Sequence, residues 1–277
     1  MIRFDAGQVR AVRAPVYGQQ HLGIVPGGPH DRWSWHWATR LCGNAPEDCV
    51  LECTLIPPRI AIEADAVVAI TGAPARCMVD GHPVPRCAEL YVRAGQHLSI
   101  EPGVRGCRWY LATPGGWQAD GQYWRGGVVS RSLRERRAAW SQVGQWAPPA
   151  GVLRVLPGPD FGVIAEASTR GPWQVGRHSD GMGLRLSGPH LAAPGDLYSA
   201  PVRDGTIQLT NSGPILLLRE RQSMGGYARV LQVIESDIDL AAQLRPGDGV
   251  RLDLVDEDEA EAIAAARLVA ERTPLSE

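Results

Sequence analysis

Short apolar runs recur along the whole chain, each closed off by glycine, proline or Asp-Gly. In the first half Ile60-Ala-Ile62, Ala66–Ile70 ahead of Thr71-Gly72, Cys77-Met-Val79 ahead of Asp80-Gly81, Leu90-Tyr-Val92 and His97–Ile100 read as strands joined by turns. The second half has the same texture in Val152–Leu156, Leu184–Leu186, Thr206–Leu209, Ile215–Leu218, Val230–Ile234 and Val250–Leu254. An internal echo links the halves. Val92–Ile100 and Leu244–Leu252 share the form apolar-Arg-x-Gly-x-x-apolar-x-apolar, which suggests related units.

Helical patterning is sparse. Trp33, Trp35 and Trp37 alternate like a strand, but Trp33, Trp37 and Leu41 recur every four residues. With Asp31 as N-cap and Gly43-Asn44 as the stop, the stretch reads better as a helix. Asp256–Arg272 is alanine-rich with acids leading and arginine trailing, the order a helix dipole favours. Gln118–Pro149 holds Gly126-Gly127, an arginine cluster (Arg131, Arg134, Arg136, Arg137) and Pro148-Pro149. It reads as a connection, with a short helix at Ser132–Trp140 whose arginines form a solvated face. The expected organisation is therefore 1–117, a connecting segment 118–150, and 151–277 ending in a helix.

Composition adds four points. Gly and Pro make up 54 of 277 residues (32 and 22), which fits turn-rich β structure. The 28 basic and 30 acidic side chains leave a charge of −2, unlike the basic footprint of a nucleic-acid binder. All 28 basic residues are arginine, so no side chain can carry biotin, form a Schiff base or serve as a P-loop lysine. The six cysteines all precede residue 108 without a zinc-type spacing. They read as buried free thiols, with a disulfide framework as the alternative. The start, MIRFDAGQVRAVRAP, lacks the apolar stretch of a signal peptide, and no run reaches the ~18 residues of a membrane span. A soluble, cytoplasmic protein with no metal is expected.

Familiar catalytic signatures are absent: there is no Gly-x-Ser-x-Gly, His-Glu-x-x-His, Gly-x-Gly-x-x-Gly or P-loop. Four constellations remain: Tyr17–Asp31 with His21, His30 and Asp31; Leu51-Glu52-Cys53-Thr54; Arg177–Pro189; and Arg219–Arg229 with Gly225-Gly226. Paired glycines let backbone N–H groups approach an oxyanion or carboxylate. Each constellation reads more readily as a structural turn than as a site, and Asp31 is as easily a cap as a catalytic acid.

In order and spacing, these elements resemble the biotin-dependent carboxyltransferase family, also known as the C-type component of 5-oxoprolinase or allophanate hydrolase subunit 2. The resemblance rests on Gln20–Ile24, Gly28–Asp31, Leu51–Leu55, Ile70–Ala73, Asp80–Pro83, Arg93–Gly95, Arg154–Pro159, Ser179–Pro189, Gly205–Gln208, Gln222–Tyr227 and Leu244–Asp248. It implies a mainly β fold of two cyclophilin-like β-barrel halves with a few short helices and active-site residues at their junction. It also implies a hetero-oligomer with a homologue of the B-type 5-oxoprolinase component and with the A-type, lactam-utilisation component. Such a complex would open 5-oxoproline with ATP, or move a carboxyl group from carboxybiotin to urea, the ATP or carboxybiotin coming through the partners. On this reading Glu52, His21, Asp31 and Gln222 are catalytic candidates. Ser179, Asp180, Arg221, Gly225, Gly226 and Tyr227 would bind substrate, with Arg221 forking a carboxylate. The alternative is a non-catalytic interaction protein that binds a B-type, kinase-inhibitor-like partner.

Departures from the family pattern stand at Val12, Arg13, Val16, Gln19, Gly181 and Ala228. Arg13 replaces an acid, Val16 an arginine and Gly181 an arginine, so turnover below that of a typical member is expected. Trp117, Trp124, Trp140 and Trp146 are read either as anchors of the partner interface or as core.

Overall fold

A computed structural model describes residues 1–126, 150–164, 169, 171–195 and 197–275. The described residues contain 21 strands and three α-helices, the mainly β composition the turn-punctuated sequence predicts. The chain divides into two units. One comprises Met1–Ala14, Asp31–Gln142 and Glu271–Glu277, the other Pro15–His30 and Val143–Ala270.

The first unit is built from two antiparallel sheets. One has the order β11 (Gln118–Asp120), β12 (Tyr123–Arg125), β1 (Ile2–Ala6), β4 (Arg59–Ile62), β9 (His97–Pro102), β6 (Ala75–Val79), β7 (His82–Val84). The other runs β2 (Val9–Val12), β3 (Val50–Thr54), β10 (Arg108–Ala112), β5 (Ala66–Gly72), β8 (Glu89–Val92). Both contribute to one core, with Ile60 and Leu98 from the first sheet and Leu51, Val68 and Trp109 from the second.

The second sheet is also covered on its outer face. Helix α1 (Arg32–Leu41) lays Ala38 and Leu41 on Val12, Val50, Ala69 and Ala112. Strand β5 is therefore buried at every position, and its sequence is a continuous apolar run rather than an alternating one. Helical spacing prevails over the tryptophan alternation: Trp33, Trp37 and Leu41 are buried, and Asp31 caps the helix by accepting from Ser34 N at 2.8 Å.

Two boundaries differ from the sequence expectation. Residues 118–126 are not a connection, because β12 pairs with β1 and extends the first sheet. Residues 15–30 belong to the second unit, and the tail after Ala270 returns to the first. Local sequence cannot show which sheet a short strand joins. The expected helix at 132–140, with Trp140 and Trp146, lies outside the described residues. Trp117 is core: it is 1% exposed and donates its indole N–H to Leu111 O at 2.9 Å. Trp124 is half-buried against the same core.

The second unit is a closed barrel in the order β13 (Val152–Pro157), β20 (Ala228–Val233), β17 (Thr206–Thr210), β18 (Gly213–Leu217), β15 (Gly183–Ser187), β14 (Trp173–Val175), β21 (Gly249–Leu254). Parallel pairing of β13 with β21 closes it. A two-stranded ribbon, β16 (Ala200–Pro201) with β19 (Met224–Gly225), stands apart, and α2 (Glu235–Ala242) and α3 (Glu257–Arg272) complete the unit.

Helix α2 was not legible in the sequence, because two of its buried positions are acids. Asp237 receives Arg154 N, Nε and Nη2 at 2.8, 3.0 and 2.6 Å. Asp239 receives Arg219 Nη2 at 2.7 Å. The C-terminal helix matches its expectation, with the Asp256 carboxylate accepting from Glu259 N at 2.8 Å.

The internal echo is structural. Arg93 N donates to Gln96 Oε1 at 2.8 Å while Gln96 N returns to Arg93 O at 3.2 Å. Arg245 N likewise donates to Asp248 Oδ2 at 2.8 Å, and Asp248 N returns to Arg245 O at 3.0 Å. Gly95 and Gly247 hold φ of 86° and 94°, a left-handed conformation that glycine adopts without steric cost. Each turn feeds a strand, β9 or β21, whose alternate residues are buried.

Candidate functional site

In the first unit, register places one polar residue from each of four adjacent strands in a row. Arg10 of β2 faces Glu52 of β3, Glu52 faces Tyr110 of β10, and Tyr110 faces Thr71 of β5. They lie on the face that α1 covers, because Leu51 and Cys53 take the core side and Glu52 the other. Glu52 is 1% exposed, and both carboxylate oxygens are engaged. Oε1 accepts from Arg10 Nε at 2.9 Å, and Oε2 accepts from Tyr110 OH at 2.7 Å. Arg108 Nε lies 3.9 Å from Oε1.

The row continues into the helix start. Tyr110 OH accepts from Asp31 N at 2.8 Å, Asp31 Oδ2 accepts from Ser34 Oγ at 2.6 Å, and Thr71 Oγ1 donates to Ser34 O at 2.6 Å. Burial and the carboxylates of Glu52 and Asp31 push the Tyr110 hydroxyl well above its usual pKa, so it stays a neutral donor. Two expected residues, Glu52 and Asp31, are thus joined by a third that sequence reasoning missed. Tyr110 sits within the apolar run Trp109-Tyr-Leu-Ala112, where its hydroxyl gives no pattern signal. Asp31 also caps α1.

The second unit gathers another set around the paired glycines. Gln208 of β17 is 2% exposed, between the buried Ile207 and Leu209. Its Nε2 donates to Tyr227 O at 3.3 Å, and its Oε1 accepts from Gln222 Nε2 at 3.4 Å. A Cβ on Gly225 would fall 2.5 Å from Gln208 Nε2, so any larger residue there would push the carboxamide aside. Gln222 itself is exposed, as are Met224 and Tyr227. Leu197 N donates to Gly226 O at 2.7 Å, which ties the loop to a stretch ending in the fully exposed Tyr198. Gln208 is the second residue missed; a lone carboxamide between Ile207 and Leu209 was the available signal.

The other expected residues fall elsewhere. Arg221 is buried, with Nε 3.0 Å from Asp204 Oδ1 and Nη1 donating to its neighbour Gln222 O at 3.0 Å. Ser179 Oγ bridges Gly176 O and Arg185 N at 2.8 and 3.0 Å. Asp180 Oδ1 accepts from Met182 N and Gly183 N at 2.9 and 3.2 Å, shaping the turn into β15. His21 is exposed on a single 3-10 turn, Gln20–Leu22. His30 is 3% exposed, and its Nε2 lies 3.1 Å from Gly181 O. A Cβ at Gly181 would meet the carboxylate end of the exposed Glu220 side chain, which would have to swing aside to admit it.

All six cysteines are free and buried. Burial pushes the Cys77 and Cys87 thiols up to about 11 and 12, and raises Cys49 and Cys53 as well. Among the described residues, no group of three or more His, Cys, Asp or Glu could hold a metal ion. No helix there is long and apolar enough to cross a membrane.

A mainly β chain of two units, one a closed barrel with a carboxamide-backed glycine loop, defines the class. The sequence matches the family model described as carboxyltransferase domain, subdomain A and B, over residues 22–126 and 127–254, and the chain belongs to that family. It is 30% identical over 260 residues to the C-type component of 5-oxoprolinase from Escherichia coli, covering 84% of each chain. It is 25% identical to urea amidolyase of Saccharomyces cerevisiae, where the match spans 84% of this chain but 15% of that one. Among solved structures, TTHA0988 superposes with a TM-score of 0.80 at 28% identity, covering 92% of this chain and 55% of that one.

Proposed function

We propose that this chain is the amide- or lactam-recognising component of an ATP-dependent, hetero-oligomeric assembly of the 5-oxoprolinase type. Its partners would be homologues of the A-type and B-type components, with ATP, or carboxybiotin for a urea-type reaction, handled by them. The carrying observation is the exposed Gln222 carboxamide propped by buried Gln208 beside Gly225-Gly226. A lactam holds its N–H and C=O on one edge, and a carboxamide presents the complementary acceptor and donor. The backbone N–H of Gly226, next to Gly225 in its ladder with Ala200, offers a donor for charge developing on the carbonyl oxygen during ring opening. The reciprocal 84% coverage of the C-type 5-oxoprolinase component, against 15% of the yeast urea amidolyase, supports the lactam over urea.

The test is reconstitution with A-type and B-type homologues, ATP and 5-oxoproline, reading glutamate formed. Gln222→Glu, which replaces the carboxamide N–H with an acceptor, is expected to lower turnover by about 10²-fold or more. Unchanged turnover would refute the site, and activity on urea alone would refute the substrate class.

One observation favours a second reading, binding without catalysis: Glu52 and Arg221, the two strongest charged candidates, are buried on internal partners. On that reading the chain forms a stable complex with a B-type homologue while the reconstituted mixture turns over no lactam.

A further inference from the structure

The second unit contains a cavity of about 730 Å³ that neither candidate cluster uses. Its walls come from the end of β13, the start of β17, β20 and the β21–α3 junction, and none of Gln208, Gln222, Gly225 or Gly226 lines it. The cavity is therefore lined by other side chains than the amide-recognition site, although Pro201 and Arg229 in its wall pair with Met224 and Gln208 of that site. Its volume lies in the range of about 300–1,000 Å³ that small-molecule sites occupy.

Its chemistry is mixed in a specific way. Leu156, Val202, Leu231 and Val255 give it aliphatic walls, and Pro157, Pro159 and Pro201 add apolar surface that offers no backbone N–H. Both signs of charge are present. Arg203 lines the cavity and its guanidinium makes no ion pair with a described residue; Arg229, also lining it, has Nε on Asp160 at 3.2 Å. At the other sequence end of the site, Asp256 and Glu257 line it too, and the Glu257 carboxylate has no partner among the described residues. Gly158 packs so closely on the Arg229 backbone that no side chain could be accommodated there, which keeps this part of the wall smooth.

A purely anionic ligand would meet Asp256 and Glu257, and a purely cationic one would meet Arg203 and Arg229. We infer that the cavity binds a small aliphatic zwitterion, of the class of an apolar α-amino acid or dipeptide. Its carboxylate pairs with Arg203 and its ammonium with Glu257. The guanidinium fork suits a carboxylate bidentately, the Glu257 carboxylate suits an ammonium, and the aliphatic and proline walls take the side chain.

Calorimetric titration of the full chain with L-leucine and with leucyl-leucine tests this, using 4-methylpentanoate (carboxylate alone) and 3-methylbutylamine (ammonium alone) as controls. The zwitterions are expected to bind with Kd on the order of 1 mM or below, and each control at least about tenfold more weakly. Arg203→Ala should weaken leucine about tenfold while leaving the amine unaffected. Glu257→Gln should weaken leucine while leaving the carboxylate unaffected. Both side chains are exposed and make no ion pair among the described residues, so the fold should tolerate either change, and far-UV spectra would verify it. Absence of heat and of amide chemical-shift changes with either zwitterion would overturn the inference. So would binding that the two variants leave intact, or controls binding as tightly as leucine.

Discussion

Tyr110→Phe removes one oxygen from the centre of the buried row. That oxygen donates to Glu52 Oε2 at 2.7 Å and accepts from Asp31 N at 2.8 Å. No large cavity is made, because the ring stays in place among Val50, Ala69 and Ala112. The loss is therefore almost entirely polar. A hydrogen bond to a charged group contributes about 1.5–3 kcal/mol, and an orphaned buried N–H costs about 1 kcal/mol or more. The sum is about 3 kcal/mol, or a Tm lowered by about 10 °C for a unit of this size.

Tyr91 is the internal control. Its hydroxyl also donates to a carboxylate, that of Asp65 at 2.5 Å, but the residue is 47% exposed. Water replaces that bond, so Tyr91→Phe should leave stability unchanged within error. Urea unfolding of the full chain, followed by the fluorescence of buried Trp109 and its neighbours, compares the two. If Tyr110→Phe costs less than about 1 kcal/mol, or no more than Tyr91→Phe, the row is not a saturated network.

Three more outcomes are expected. Stability should fall as pH rises above about 8.5: the unfolded thiols ionise there, whereas Cys49, Cys53, Cys77 and Cys87 keep their protons in the fold. The native state then binds more protons than the unfolded one, and each thiol removes up to about 1.4 kcal/mol per pH unit; urea midpoints that stay level from about pH 8 to pH 10 would contradict this. Arg219→Leu should destabilise the second unit by about 3–5 kcal/mol, because Asp239 and Asp204, 2.7 and 3.4 Å from the guanidinium, lose a buried partner. Thermal unfolding reads it directly, and a shift within error would mean that Arg267, whose Nη2 also donates to Asp239 Oδ2, neutralises that acid alone. Gly225→Ala should displace Gln208 and reduce 5-oxoproline turnover by the reconstituted complex at least about tenfold while changing stability by less than about 1 kcal/mol; equal activity would separate the glycine loop from function.

The sequence by itself determined the local structure. Turn residues and β-period runs marked most of the longer strands. Asp31 and the spacing of Trp33, Trp37 and Leu41 marked α1, and the repeated Arg-x-Gly pattern marked the same turn in both halves, because each of these depends on residues adjacent in the chain. Glu52 was also visible as an acid in an apolar strand. Only the tertiary structure decided what that acid meets. The register of four strands drawn from residues 9–12, 50–54, 66–72 and 108–112 sets Arg10, Tyr110 and Thr71 in its row, and no pattern within one segment carries a pairing register. Helix α2 stayed hidden for a related reason: Asp237 and Asp239 read as surface until Arg154 and Arg219, distant in sequence, neutralise them inside. The cavity beside Arg203 and Glu257 is likewise a product of closure, since the two charges stand 54 positions apart in the chain and barrel packing brings them to one wall-lined space.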